Sequence, residues 1–286
     1  RGGRHGRGVL HLRDLGAEVV ALYDEIDPVF SQRNPDCAVG ENLSVLVKTV
    51  TAEGAAFGVG FDGDGDRIAV VDNKGRILGS ERLAMILFEG ALSVEDRNVI
   101  LDIKCSMHLE RAVTARGGRA HRCRSGHAYM KRMVLDEAAV AGVELSGHVF
   151  LGEIRGRDDP LHTALLVAGW LVGQTRPLSA FVDALPEMFM TDDIRVAMDK
   201  AEIDALLAAC GEGFDGGDVQ RIDGVRLVWA DGWLLVRRSI TEPKVTIRFE
   251  GETRADLGRI AQAFADRFPA LAGDIDKALA KLDRNA

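Results

Sequence analysis

Apolar and polar positions along the first half of the chain alternate between two rhythms. Glu41-Asn-Leu-Ser-Val-Leu-Val-Lys-Thr-Val50 places Leu43, Leu46, Val47 and Val50 at helical spacing, which predicts an amphipathic helix. Glu18-Val-Val-Ala-Leu-Tyr23, Ala55 to Phe61 and Ile68 to Val71 are short apolar runs of strand type. Asp62 to Asp66 forms a tight loop between the last two. Asp72-Asn-Lys-Gly75 is a hairpin-type turn leading into Arg76-Ile-Leu78. The same grammar then repeats. Ser80 is placed to cap a helix running to about Leu92, Asn98 to Ile103 is an apolar strand, and a helix around Met107 to Thr114 ends near Gly117-Gly118. Arg119 to Cys123 is a further strand. Alternation of this kind predicts α/β layering.

The rhythm changes near Pro186 to Asp193. Beyond it the pattern predicts a helix over 201–209, several short strands between Val219 and Glu250 joined by Gly turns, and a terminal helix from Glu252. That is an α+β region. The expected fold is therefore α/β multidomain, followed by a C-terminal α+β domain. No internal repeat of fixed period and no low-complexity stretch interrupts it.

Composition narrows the function. The chain has 286 residues, too many for one core to be the natural expectation. Its net charge of −8 argues against a nucleic-acid or anionic-membrane surface, where Lys and Arg would be in excess. No apolar run approaches the roughly 18 residues of a membrane span. The four cysteines (Cys37, Cys105, Cys123, Cys210) are scattered without a CxxC pair, which predicts reduced thiols in a cytoplasmic protein. The basic opening Arg1 to Gly8 is followed by no signal-type apolar stretch.

The most informative string is Gly60-Phe-Asp-Gly-Asp-Gly-Asp-Arg67. Three carboxylates separated only by glycine converge when the backbone turns tightly, and glycine permits that turn. Anions held so closely repel one another, and a divalent cation relieves them. Hard oxygen ligands suit Mg²⁺. A calcium EF-hand loop needs a glycine and later a glutamate at set places; counted from Asp62, those places hold Arg67 and Asn73. That reading fails. A solvated acidic turn is the remaining plain alternative.

The aspartate loop between two strands resembles the metal loop of the α-D-phosphohexomutases, the phosphomannomutase/phosphoglucomutase family. The resemblance implies that Asp62, Asp64 and Asp66 bind one Mg²⁺ and that Arg67 lies beside a reactive phosphoserine. Four further strings agree with it. Glu144-Leu-Ser-Gly-His148 is similar to the family's sugar-recognition loop, implying that Glu144 and Ser146 bond adjacent sugar hydroxyls; Val143 departs from the glycine that commonly precedes that glutamate. Asp102-Ile-Lys-Cys105 resembles the strand end that presents an active-site lysine, here Lys104. Ser125-Gly-His127 and the loop's own His148 supply two candidate active-site histidines. Each alone would more often be structural. Arg237-Arg-Ser-Ile-Thr-Glu-Pro243, followed by Val245 to Glu250, resembles the phosphate-binding loop, with Arg237, Ser239, Thr241 and Arg248 on the non-reacting phosphate. Ile240 stands where the family usually has Asn or Gly, and a β-branched residue there disfavours left-handed backbone.

The resemblance divides the chain into 1–77, an incomplete second family domain with the metal loop; 78–188, the third domain with the sugar loop; and 189–286, the phosphate-binding domain. It implies transfer of a phosphoryl group between the 1- and 6-positions of mannose or glucose, through a phosphoserine and a 1,6-bisphosphate intermediate or activator. None of the seven histidines is preceded by Ser and followed by Asn-Pro, so the family's nucleophile segment is not in this sequence. The chain is expected to begin inside the second family domain and to lack the complete cycle when alone. Three alternatives stay open: a phosphoglucosamine mutase of the same family, a non-catalytic sugar-phosphate-binding protein and a metal-dependent phosphatase.

Overall fold

The computed structural model describes residues 12–14, 16–25, 27–213, 216–239 and 242–285. The basic opening, Ile240 and Thr241 lie outside the described residues. The chain divides into two compact units, one of Arg1–Cys105 with Leu109–Leu185 and one of Ser106–His108 with Pro186–Ala286.

In the first unit, a 3-10 turn at Gly40–Leu43 runs into α1 (Ser44–Glu53), which ends on left-handed Gly54. The apolar stripe of α1 seats on β1 (Phe57–Phe61). It does so through glycine: a Cβ at Gly58 would come within 2.5 Å of Val50 Cγ2, and one at Gly60 within 2.6 Å of Leu43 Cδ2. β1 pairs antiparallel with β2 (Ile68–Asp72), which pairs with β3 (Ile77–Leu78) to complete a three-stranded sheet. Every residue of β2 is buried. α2 (Ser80–Ile86) passes into a π turn at Leu87–Ala91.

A five-stranded mixed sheet follows in the order β5-β4-β6-β7-β8. Its members are β4 (Asn98–Asp102), β5 (Arg119–Cys123), β6 (Ala141–Val143), β7 (Val149–Leu151) and β8 (Arg157–Asp158). β4 runs parallel to β5 and β6, and those links are made through α3 (Met107–Thr114) and α4 (His127–Asp136). Val99, Ile100 and Leu101 are wholly buried, as expected for a central parallel strand covered on both faces. α5 (Pro160–Val172) starts on Asp159, whose side chain accepts from His162 N–H, and α6 (Leu178–Val182) closes the unit.

The second unit is an antiparallel sheet in the order β10-β14-β13-β12-β11, with β9 on β14. The strands are β9 (Phe189–Met190), β10 (Ile194–Ala197), β11 (Asp218–Gln220), β12 (Val225–Trp229), β13 (Gly232–Arg238) and β14 (Lys244–Gly251). One face packs on α7 (Lys200–Gly211), α8 (Arg254–Arg267) and α9 (Ala272–Asn285). Capping boxes at Asp199/Glu202 and Thr253/Asp256 start α7 and α8. Glu250, fully buried, accepts from Trp233 Nε1, Ser106 Oγ and the Met107 N–H, which draws Ser106–His108 into this unit. Among the described residues no helix is long and apolar enough to cross a membrane.

Four expectations need correction. Glu18–Tyr23 joins no ladder: all β1 partners lie on β2, and Val20 stays 57% exposed. A strand-like run becomes a strand only where a neighbour supplies its hydrogen bonds. Ser80 is the first helical residue rather than the cap, and its hydroxyl donates to the Leu145 carbonyl at 3.0 Å. The helix expected to reach Leu92 is α-helical only to Ile86; Gly90 then lets the backbone approach the Trp170 indole, where a Cβ would sit 2.9 Å from Nε1. The terminal helix is two helices, divided at Phe268–Leu271 by Pro269, which cannot continue the α8 hydrogen bonding.

None of the four cysteines is in a disulfide, and all are buried. Burial pushes the Cys37 thiol up to about 11 and the Cys210 thiol up to about 12, so neither is a thiolate near neutral pH. Ellman's reagent is therefore expected to label none of them in the native protein and all four after denaturation. Stoichiometric native labelling would contradict this packing.

Candidate functional site

The aspartate loop is built by its first member. Asp62 is 1% exposed; its Oδ1 accepts the backbone N–H groups of Gly65, Asp66 and Arg67 at 3.0, 3.1 and 3.2 Å. Its Oδ2 accepts Arg67 Nε at 2.7 Å, and Arg67 Nη1 also reaches Asp36 at 3.3 Å. Gly65 supplies the positive φ, +75°, that the turn requires. Asp64 stands exposed and Asp66 is half-buried.

One carboxylate oxygen from each of Asp62, Asp64 and Asp66 lies within 4.8 Å of the others. The electrostatics differ between them. Burial works to raise the Asp62 pKa, but the Arg67 guanidinium and the loop N–H groups outweigh it and hold the carboxyl below the usual range. Burial and the charges of Asp62 and Asp64 push Asp66 up, against the pull of His148. An all-oxygen cluster that raises the pKa of its own member is suited to a hard dication, and these residues fit Mg²⁺.

The turn between β6 and β7 carries Glu144, Ser146 and His148. It closes through Glu144 N–H to His148 O at 3.0 Å, with Gly147 at φ +106°. Two backbone anchors hold it: the Ile68 N–H donates to Gly147 O at 3.2 Å, and Ser80 Oγ donates to Leu145 O. Glu144 Oε2 and Ser146 Oγ are buried and have no hydrogen-bond partner. Buried polar atoms are almost always paired, so an acceptor and a hydroxyl left open side by side are suited to a polyhydroxylated ligand. Burial, then Asp102, raises the Glu144 pKa; His148, Lys104 and His127 draw it down.

His127 Nε2 and His148 Nδ1 both meet Asp158 Oδ2, each at 2.9 Å. Burial opposes the charged imidazolium at His148, but Asp158, Glu144 and Asp66 together raise its pKa. At Asp158 burial is likewise outweighed by His148, and the carboxyl is held below its ordinary value. Asp102, wholly buried at the end of β4, accepts the Lys104 N–H at 3.0 Å and Ser125 Oγ at 2.7 Å. It thereby fixes both the lysine-bearing strand end and the Ser-Gly-His turn.

In the second unit the β13–β14 register sets Arg237 opposite Thr246 and Leu235 opposite Arg248. Strand alternation puts both arginines on the face away from the helices, beside Arg226 of β12. Arg237 donates through Nε to Asp223 at 2.8 Å and Arg248 through Nη1 to Asp193 at 3.1 Å. Arg237 Nη2 and Arg248 Nε are buried with no partner, donors suited to an oxyanion. Ser239, just past β13, donates its N–H to Lys244 O. Thr241 lies outside the described residues.

The structure thus joins the aspartates with Arg67, and the two histidines with one another. It places Lys104 and Glu144 within each other's field and sets Arg237 and Arg248 on one sheet face. Sequence reasoning missed Asp102, Asp158, Asp193 and Asp223. Each orients a predicted site residue across the fold, and an isolated aspartate in sequence gives no sign of that.

Comparison with known proteins bears on the whole chain. Family models match in succession: phosphoglucomutase/phosphomannomutase alpha/beta/alpha domain II over residues 2–75, alpha/beta/alpha domain III over 80–189, and the C-terminal domain over 194–267. A phosphomannomutase/phosphoglucomutase of Pseudomonas syringae pv. tomato is 34% identical over 269 residues, covering 92% of this chain and 57% of the relative. A probable phosphoglucosamine mutase of Methanopyrus kandleri is 30% identical over 260 residues, covering 89% of this chain and 57% of the relative. The crystal structure of a phosphoglucomutase/phosphomannomutase family protein from Burkholderia thailandensis superposes with a TM-score of 0.81 at 35% identity, covering 93% of this chain and 57% of that one. The chain spans a little over half the length of these relatives.

Proposed function

The chain belongs to the phosphoglucomutase/phosphomannomutase family, and from that premise we propose that it binds a hexose monophosphate with one Mg²⁺ in the service of phosphoryl transfer between the sugar's 1- and 6-positions. The observation that carries this reading is the pair of buried, unpartnered atoms Glu144 Oε2 and Ser146 Oγ on a turn bonded to the aspartate loop's strand. Glu144 accepts from vicinal hydroxyls and Ser146 completes the contact. Arg237, Ser239, Thr241 and Arg248 hold the phosphate that does not react, the arginines entering through their open N–H groups. Residues 1–77, 78–188 and 189–286 act as the metal, sugar and phosphate domains.

Asp62, Asp64 and Asp66 would hold Mg²⁺, which when bound neutralises charge on the transferring group. Arg67 orients the phosphoryl donor, already fixed through Asp62. Lys104, His127 and His148 surround the accepting hydroxyl, where a cation stabilises charge and an imidazole moves the proton. The donor is a phosphoserine, with a hexose 1,6-bisphosphate as intermediate and activator. This sequence carries no such serine segment, so alone it binds but does not turn over.

Calorimetry with glucose 1-phosphate and mannose 1-phosphate tests the reading. Binding is expected, and Glu144→Ala is expected to weaken it about tenfold or more, since each ~1.4 kcal/mol is a factor of ten. No binding of either sugar phosphate would refute the site; interconversion of the 1- and 6-phosphates by the chain alone would refute the need for a phosphoserine. The Methanopyrus relative favours a second reading, glucosamine phosphate as ligand. Tighter binding of glucosamine 6-phosphate than of either hexose phosphate would select it.

A further inference from the structure

The first unit holds a second cluster whose donor set differs from that of the aspartate loop. His127 Nε2, His148 Nδ1 and a carboxylate oxygen of Asp158 all lie within 4.8 Å of one another. Both nitrogens already point at Asp158 Oδ2, at 2.9 Å each. The imidazoles stand edge-on, centroids 5.3 Å apart and planes at 79°. Fully buried Phe150 packs against both rings, at 5.1 and 5.9 Å, and limits their rotation. On the other side His127 is 44% exposed, which leaves an entry path and room for further ligands.

We propose that His127, His148 and Asp158 form a site for a divalent d-block ion of the zinc and cobalt class, separate from the Mg²⁺ position. Two imidazoles and one carboxylate are the ligands such ions select, whereas Mg²⁺ favours oxygen alone and keeps its waters. Bonds of about 2.0–2.2 Å to each donor hold tetrahedral ligands a little over 3 Å apart, so the two nitrogen–oxygen edges, now 2.9 Å each, need to open by only about half an ångström. Each nitrogen now gives its hydrogen to Asp158. On binding, each must present a lone pair instead, either by moving the proton to the other ring nitrogen or by releasing it to solvent. Asp66 Oδ1, 4.0 Å from His148 Nδ1, adds negative field without entering the triangle. An ion seated here would take both histidines away from any sugar substrate, so these metals would oppose Mg²⁺-dependent chemistry.

Co²⁺ is the probe, because its visible absorption bands report nitrogen coordination. With Mg²⁺ in large excess over the full chain, one equivalent of Co²⁺ is expected to produce intense bands that persist in Asp64→Asn. They should vanish in His127→Ala, and Asp158→Asn should weaken Co²⁺ about tenfold or more. Circular dichroism checks that each variant is folded, and exposed His127 makes its alanine variant the safer one. No bands over the Mg²⁺ background would overturn the site, as would bands lost in Asp64→Asn or kept in His127→Ala. No sugar or turnover enters this test, so it can fail independently of the hexose-phosphate reading.

Discussion

Asp62→Ala is expected to lower stability by about 3–5 kcal/mol and to remove Mg²⁺ binding with it, because the substitution strips the buried partner from a charged group. Three backbone N–H groups and Arg67 Nε converge on this one carboxylate, which is 1% exposed. Its loss leaves those donors inside the loop with nothing to accept them. Asp64 stands at the opposite extreme, exposed at the tip. Asp64→Asn should change metal-free stability by less than about 0.5 kcal/mol, as surface substitutions do, while removing the rise in melting temperature expected of the parent on adding Mg²⁺. Thermal unfolding with and without Mg²⁺ separates the two. An Asp62→Ala protein that melts with the parent would show that the loop does not depend on that carboxylate. The pH dependence has a definite sign. The Asp62 pKa is lowered in the fold from its ordinary 3.8, so its stabilisation is complete above that value and is lost as pH falls through the folded pKa. The gap between parent and variant should therefore close on acidification.

The second large effect belongs to the C-terminal unit. Phe264 of α8 is wholly buried, edge-on to Phe249 of β14 at 5.5 Å and tilted against Phe268 at 4.8 Å. Truncating it removes most of one ring's burial and two aromatic contacts and leaves a cavity, so Phe264→Ala should cost about 3–5 kcal/mol. Phe264→Leu should cost clearly less, because it refills most of that space. The loss is expected to fall on the second unit, whose apolar core is where the ring sits. In a Trp170→Phe background, fluorescence of Trp229 and Trp233 should report early unfolding of their own unit, while the expected Mg²⁺ binding at the aspartate loop survives. A single transition that abolishes both signals together would show that the units do not fold independently.

How much of this could be read from residues alone follows the range of the interactions. The helix Met107–Thr114, the strand Arg119–Cys123 and the turn at Asp72–Gly75 appear where the pattern places them, since each is decided by neighbours in sequence. The aspartate loop was equally legible: its carboxylates, its glycines and the arginine that locks it all lie between Asp62 and Arg67. What the pattern could not carry is pairing at a distance. Val19 and Val20 have the right side chains for a strand but no ladder partner among the described residues. Ser80 looks like a cap, yet its hydroxyl goes to Leu145, a neighbour only in the folded chain. Asp102 enters the sequence pattern only as part of the string that presents Lys104, and Asp158, Asp193 and Asp223 carry no signal of a role in it. They matter because the fold sets each beside a group far along the chain, Arg248 lying 55 positions from Asp193. The pattern thus revealed the residues that would touch ligands better than the residues that hold them in place.

The bond from the Ile68 N–H to the Gly147 carbonyl has a thermodynamic consequence. Ile68 follows the aspartate loop by one residue, and Gly147 sits within the Glu144–His148 turn, so the two segments share a fixed peptide contact. Any ligand that orders one segment lowers the entropy remaining to be lost by the other. Such heterotropic coupling is reciprocal by necessity: whatever factor a cation adds to affinity at the turn, a molecule held at the turn adds to the affinity for the cation.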